Sequence, residues 1–152
     1  MSLPPSAPQT LELFTFSVGS HHYAVDLARV DEVLPPLPVE EDAHVRPPVA
    51  GTALLRGERV PVVELRGALQ ESPCRPDARP GMLLCWLGRR RVAFSVDGIG
   101  EVARVAAASL EVPAADLPKA VVAVWADPPG LHFLVDVKEV LRSHSASPPG
   151  RG

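Results

Sequence analysis

The sequence predicts an all-β chain built from two similar halves, and three observations lead there. Short aliphatic runs recur between turn residues, a proline-led hairpin stands in the middle of the chain, and the beginning of the chain is echoed in its second half. Residues 16–33 lie over residues 85–102 without a gap. Phe16, Val18, Gly19, Tyr23, Ala24, Val25, Leu27, Val30, Glu32 and Val33 fall on Cys85, Leu87, Gly88, Val92, Ala93, Phe94, Val96, Ile99, Glu101 and Val102. A second echo sets PVVELRGAL, Pro61 to Leu69, over FLVDVKEVL, Phe133 to Leu141. Ordered echoes of this kind mark a duplicated unit. Each unit then runs strand, Gly turn, strand, strand, Pro-rich connection, hairpin and a short helix opening at an acidic residue. Two similar β subdomains are expected, about 11–80 and 81–141, interleaved or side by side.

The elements follow from local pattern. Residues 1–10, with several prolines and serines, read as a disordered tail. Leu11 to Val18 alternates apolar and polar residues, which makes it a half-buried strand offering Leu11, Leu13, Phe14, Phe16 and Val18 to one core. Tyr23 to Leu27 continues the meander, and Val30 to Leu34 is a third strand. The proline-rich stretch from Leu34 to Pro48 must be an extended connection without regular hydrogen bonding. Thr52 to Leu55 and Val60 to Leu65 flank the polar breaker RGER and form a hairpin that displays Arg56 on its turn. Pro61 lacks an N–H, so the second of these strands is expected at a sheet edge. Gly81 to Leu87, Val92 to Val96 and Ile99 to Val105 repeat the early strands. Glu111 to Lys119 is again a proline-bearing connection, and Val121 to Trp125 with Leu131 to Val135 is the last hairpin. Asp136 is a helix N-cap for a short closing helix to about Arg142, followed by a mobile tail over 142–152.

Composition narrows the function classes. A chain of 152 residues, 46% of them apolar, is long enough to bury a sizeable core. Its net charge of −3 supplies no broad attraction for phosphate backbones, so nucleic acid is not an expected ligand. No apolar run approaches the roughly 18–20 residues that span a bilayer, and MSLPPSAPQT lacks the basic and apolar parts of a secretory signal. No membrane insertion is expected, and the cytoplasm is the default compartment. Cys74, in a Pro-rich loop, and Cys85, in a strand expected to be buried, have neither metal-ligand nor disulfide-framework spacing.

Catalytic readings find little support. His21 and His22 fall in a predicted turn where neighbouring side chains diverge, and His44, His132 and His144 are scattered, so no metal is expected. No Gly-x-Ser-x-Gly elbow or phosphate-binding Gly loop occurs, and Ser95 and Cys85 lack a nearby base. The run Arg89 to Arg91 after Gly88 reads as a solvated hairpin turn rather than an anion site. No cofactor is expected. What remains is Glu32 and Arg56, opposite charges in apolar company. They are either an ion pair, partly buried and costly to break, or two unrelated exposed charges. Around them Val30, Leu54, Val60 and Leu65 are expected to line an apolar groove suited to a partner helix.

These residues resemble the CheW-like domain family, adaptors that couple chemoreceptors to the histidine kinase CheA in bacterial chemotaxis arrays. The early pattern appears as Tyr23-Ala24-Val25-Asp26 and Val30-Asp31-Glu32-Val33, and the Asn-Leu-Arg-Gly…Pro signature as Gly51 to Leu65. The second-half pattern appears at Val96 to Val102, and the closing one at Leu134 to Leu141. The resemblance covers about Leu11 to Leu141. It implies two five-stranded β-barrel-like subdomains with a short C-terminal helix, and no catalysis. It also implies two partners in two-component signalling, the cytoplasmic tip of a methyl-accepting receptor and the regulatory domain of a CheA-type kinase, met in the cytoplasm at receptor clusters. Carried over by motif position, Val30, Glu32, Gly51 and Arg56 belong to the receptor-facing region, with Leu54, Val60 and Leu65 beside them. The chain departs from the family at Leu54 (usually Asn), Glu64 (usually Asp), Arg59 (commonly apolar) and near Ala123 (usually Gly). Those departures leave open a divergent relative that binds the receptor but not the kinase. A small β-barrel enzyme or a nucleic-acid-binding module is the remote alternative.

Overall fold

The computed structural model describes residues 9–41, 43–72, 79–128 and 130–145. Of the tails expected over 1–10 and 142–152, residues 1–8 and 146–152 lie outside the described residues, as does Cys74. In chain order the elements are β1 (Thr10–Val18), β2 (His21–Asp26), β3 (Val30–Leu34), β4 (Val49–Leu55), β5 (Glu58–Glu64), the one-turn helix α1 (Leu65–Ala68), β6 (Gly81–Leu87), β7 (Arg90–Val96), β8 (Gly98–Ala106), β9 (Val121–Asp127), β10 (Gly130–Val135) and α2 (Val137–Ser145). The first strand and the last helix run slightly past the expected bounds, since β1 starts at Thr10 and α2 reaches Ser145. Asp136 caps α2 as expected, its Oδ1 accepting the N–H of Lys138 at 3.0 Å. His21 and His22 belong to β2 rather than to the turn before it, which is Gly19 and Ser20.

Ten strands form two five-stranded sheets, β8-β1-β2-β10-β9 and β3-β6-β7-β5-β4. Each sheet takes strands from both halves of the chain. The two orders are the same pattern under the sequence echo: β1, β2, β8, β10 and β9 stand for β6, β7, β3, β5 and β4. Register agrees to the residue. Leu134 lies opposite Ala24 across the parallel β10–β2 pair, Val62 lies opposite Ala93 across the parallel β5–β7 pair, and these are residues the overlay equates. The Pro-rich connections match too, each making one isolated bridge to the outer strand of a sheet, Glu40 to Thr52 and Glu111 to Val124. The first connection is therefore anchored, not free of regular bonding: Glu40 and Thr52 exchange both backbone hydrogen bonds, at 2.8 and 3.0 Å.

Strand alternation distributes the apolar residues among three cores. Phe14, Phe16, Val18, Tyr23 and Val25 from one sheet meet Val63, Leu83, Cys85, Val92, Phe94 and Val96 from the other in a central layer. The second sheet holds Leu34, Ala53, Val60, Val62, Met82, Leu84 and Ala93 on its other face, and the first holds Leu13, Ala24, Val105 and Trp125. The expectation that β1 feeds a single core is corrected, because a period of two sends Leu11 and Leu13 to one side and Phe14, Phe16 and Val18 to the other. β6 has no alternation because both of its faces are covered.

Pro61 corrects another expectation. β5 is not an edge, since it lies between β7 and β4. Counting from the turn-closing pair Leu55–Glu58, the Thr52–Pro61 pair is a non-hydrogen-bonded one, so the proline nitrogen points away from β4. On the other side the ladder with β7 begins only at Val62. An interior strand thus accommodates proline just before one ladder starts.

Candidate functional site

The β4–β5 turn is Arg56-Gly57, with φ of 49° and 83°. Positive φ at both central positions is the pattern of a type I′ turn, whose twist suits a two-residue hairpin; glycine takes it freely and arginine less so. The turn holds the Arg56 backbone fixed and sends its side chain across the end of the sheet. There the guanidinium donates to the Glu32 carboxylate on β3. Since β3 and β4 are opposite edges of this sheet, the contact requires the sheet to curl until its two margins approach. A bulge between Val30 and Glu32 places Asp31 out of register beside it.

Arg91, at the start of β7, completes the cluster. It donates to Asp31 at 3.2 Å and to Glu58, and its guanidinium carbon lies 5.7 Å from the centre of the Trp86 ring. Hydrogen bonding to Glu32 holds the Arg56 guanidinium above the ordinary arginine range; Glu58 and then Asp31 do the same for Arg91. The two charges form an ion pair, not two unrelated exposed groups; Glu32 is half-buried at 34% and Arg56 is 61% exposed, so the condition for a pair costly to break, burial of both partners, is not met. Solvent screens such pairs, and they contribute little to the stability of the fold.

The seven residues proposed for a partner face separate into two groups. Arg56 and Leu54 are at the surface, Leu54 being 60% exposed, and Val30 and Glu32 are half-buried. Val60, at 1%, and Leu65, at 0%, are core residues and cannot line an open groove. The hairpin count turns Val60 inward with Ala53 and Val62, and Leu65 opens α1 against the central layer. Gly51 is buried for a different reason: a Cβ there would lie 2.1 Å from the Glu40 carbonyl oxygen. It lets the Pro-rich connection pass close over β4. The exposed apolar residues nearest this chemistry are Val33, Leu54 and Trp86, and sequence reading did not single out the first and last.

Five contacts absent from the sequence reading join distant segments. Asp97 accepts the Gly19 N–H at 2.7 Å and the Arg66 guanidinium at 2.7 Å, tying α1 to the first turn. Glu71 accepts the Tyr23 hydroxyl and meets His21 Nδ1 at 2.7 Å. Burial, then the Glu71 hydrogen bond, push the Tyr23 hydroxyl well above the ordinary tyrosine range. His22 and His132 stack with ring centres 5.1 Å apart, and desolvation lowers the His132 pKa. Their parallel pairing across β2 and β10 is invisible to residue spacing. Among the described residues no group of three His, Cys, Asp or Glu is placed to hold a metal ion. No helix among them is long and apolar enough to cross a membrane.

Comparison with known proteins gives the geometry a context. The family model described as the CheW-like domain matches residues 12–145. A probable chemotaxis protein CheW of Rhizobium etli is 27% identical over 94 residues, 62% of this chain and 61% of that protein. The chemotaxis protein CheW of Klebsiella aerogenes is 28% identical over 91 residues, 60% of this chain and 55% of its own. The chain thus matches less than two thirds of the length of either curated relative. The crystal structure of the scaffolding protein TtCheW from Thermoanaerobacter tengcongensis superposes with a TM-score of 0.76 at 18% identity, covering 87% of this chain and 92% of that one. That likeness carries the fold.

Proposed function

The chain belongs to the CheW-like domain family, whose members are scaffold proteins of chemotaxis and not enzymes, and from that premise we propose that it couples a methyl-accepting chemoreceptor to a CheA-type histidine kinase. The observation that carries the proposal is the Arg56–Glu32 bond. A tight turn presents a permanent cation, a strand edge presents its counter-ion, and exposed Leu54 and Val33 stand on the same sheet. A surface of this kind suits a partner helix carrying apolar residues beside polar ones. Adaptor work asks for this and for no reacting group. The protein would act in the cytoplasm at receptor clusters.

A purified receptor signalling tip and, separately, a kinase regulatory domain are each expected to capture the chain in pull-down experiments. Arg56→Ala is expected to reduce capture by the receptor tip, and undiminished capture would remove Arg56 from the site. A second reading, receptor binding without kinase binding, is favoured by Arg59. It is 60% exposed and held by Glu40 at 2.5 Å, so a charged pair occupies a position that resembling proteins commonly keep apolar. Capture by the receptor tip alone would establish that reading.

A further inference from the structure

β5 and β7 run parallel, so the turns that precede them, Arg56-Gly57 and Gly88-Arg89, emerge at one end of the second sheet. A shallow depression there is lined by Arg59, Arg89, Arg90 and Arg91, with Glu58 the one carboxylate, around Trp86 and Pro61. We propose that this depression binds an acidic segment of a partner protein, carboxylates on the guanidinium groups and an apolar side chain against Trp86.

Charge supports the assignment. The chain as a whole carries a net charge of −3, whereas here four guanidinium groups meet three carboxylates, Glu58 in the lining and Asp31 and Glu40 bonded to Arg91 and Arg59, which leaves a local excess of positive charge. Arg91 is held by Asp31 and Glu58, and Arg59 by Glu40. Arg89 and Arg90 are exposed, and among the described residues neither side chain makes an ion pair or hydrogen bond. Crowded like charges repel, and a partner bringing carboxylates relieves that repulsion while using guanidinium forks that match carboxylate geometry. Trp86 is 41% exposed, an uncommon position for a large aromatic unless something covers it. Phosphate backbones are the poorer fit. Glu58 lines the depression and Asp31 and Glu40 are bonded to two of its arginines, so a short acidic segment can reach the two unengaged arginines alone, whereas a continuous polyanion would also run past these carboxylates. The depression shares Arg91 and Glu58 with the cluster beside Arg56 but does not include Arg56 or Glu32, and Arg89 and Arg90, which the test changes, take no part in that cluster.

The test uses the full chain and a panel of fluorescein-labelled peptides rich in glutamate with one central aromatic residue, read by fluorescence anisotropy. Binding is expected to weaken between about 50 and 200 mM salt. In the double reversal Arg89→Glu with Arg90→Glu it is expected to fall about tenfold or more. Arg104→Glu, on β8 of the other sheet, is expected to bind as the wild type does. Circular dichroism checks the fold, and if the reversal misfolds, Arg89→Gln with Arg90→Gln carries the same expectation at smaller size. A single-stranded oligonucleotide and phosphatidylserine vesicles are run beside the peptides. Failure of every peptide to bind, equal binding by the folded arginine variants, or tighter binding of either phosphate-bearing probe would each overturn the proposal.

Discussion

Gly51 shows how one missing carbon positions a whole connection. Its backbone passes under Glu40 so closely that a Cβ would stand 2.1 Å from the carbonyl oxygen, an atom fixed by the Glu40–Thr52 bridge. Gly51→Ala is therefore expected to destabilise the fold by about 2 kcal/mol or more, measured by urea unfolding. Arg56→Ala is expected to leave the urea midpoint nearly unchanged, because the pair is partly exposed and screened. Lost partner binding in that variant would then be a local effect. His132 supplies a pH dependence. Desolvation lowers its pKa in the folded chain, so the unfolded chain takes up a proton first on acidification. Its contribution to stability is present above the unfolded value of about 6.5 and lost as pH falls through the lower folded value. Urea midpoints recorded from pH 7 to pH 5 are expected to decline, and His132→Gln is expected to flatten that decline.

At the scale of elements, β6 is the strand on which both faces depend. Leu83 and Cys85 enter the central layer, while Met82 and Leu84 enter the second sheet's own core. Leu84 is fully buried, and Leu84→Ala is expected to cost about 2–5 kcal/mol, read as a lowered urea midpoint at unchanged m-value. Burial also explains the cysteine in this strand. It pushes the Cys85 thiol up to about 12, so a Cys74→Ser variant is expected to react with thiol reagents only once unfolded. The run GMLLCWL reads as a strand by length and composition, yet no alternation reveals that it has two cores to serve. The Arg-Gly turn was legible because two residues between aliphatic runs leave few alternatives. Val60 and Leu65 were misplaced for a related reason. An apolar residue near a turn, such as Val60, looks available to a partner until the hairpin register decides which way it points, and here it points inward; Leu65 lies past that register and is buried because α1 packs on the central layer.

At the scale of the molecule, the shared topology has a mechanical consequence. β3, β4 and β5 share a sheet with β6 and β7, and β8, β9 and β10 share one with β1 and β2. Neither half of the chain contains a finished sheet. Fragments 1–72 and 73–152 are each expected to remain unfolded alone and to regain β structure on mixing, followed by circular dichroism and amide exchange; independent folding of either would contradict the exchange of strands. Strand positions, the duplicated unit and the displayed Arg56 follow from the sequence by itself, because alternation, turn chemistry and internal similarity are local properties that residues carry wherever they are placed. Which strands share a sheet was decided only in three dimensions. So were the core each face meets, the approach of Arg56 to Glu32 across a curled sheet, and the stacking of His22 on His132. A period of two states that a strand has two faces, and long-range pairing alone settles what each of them touches.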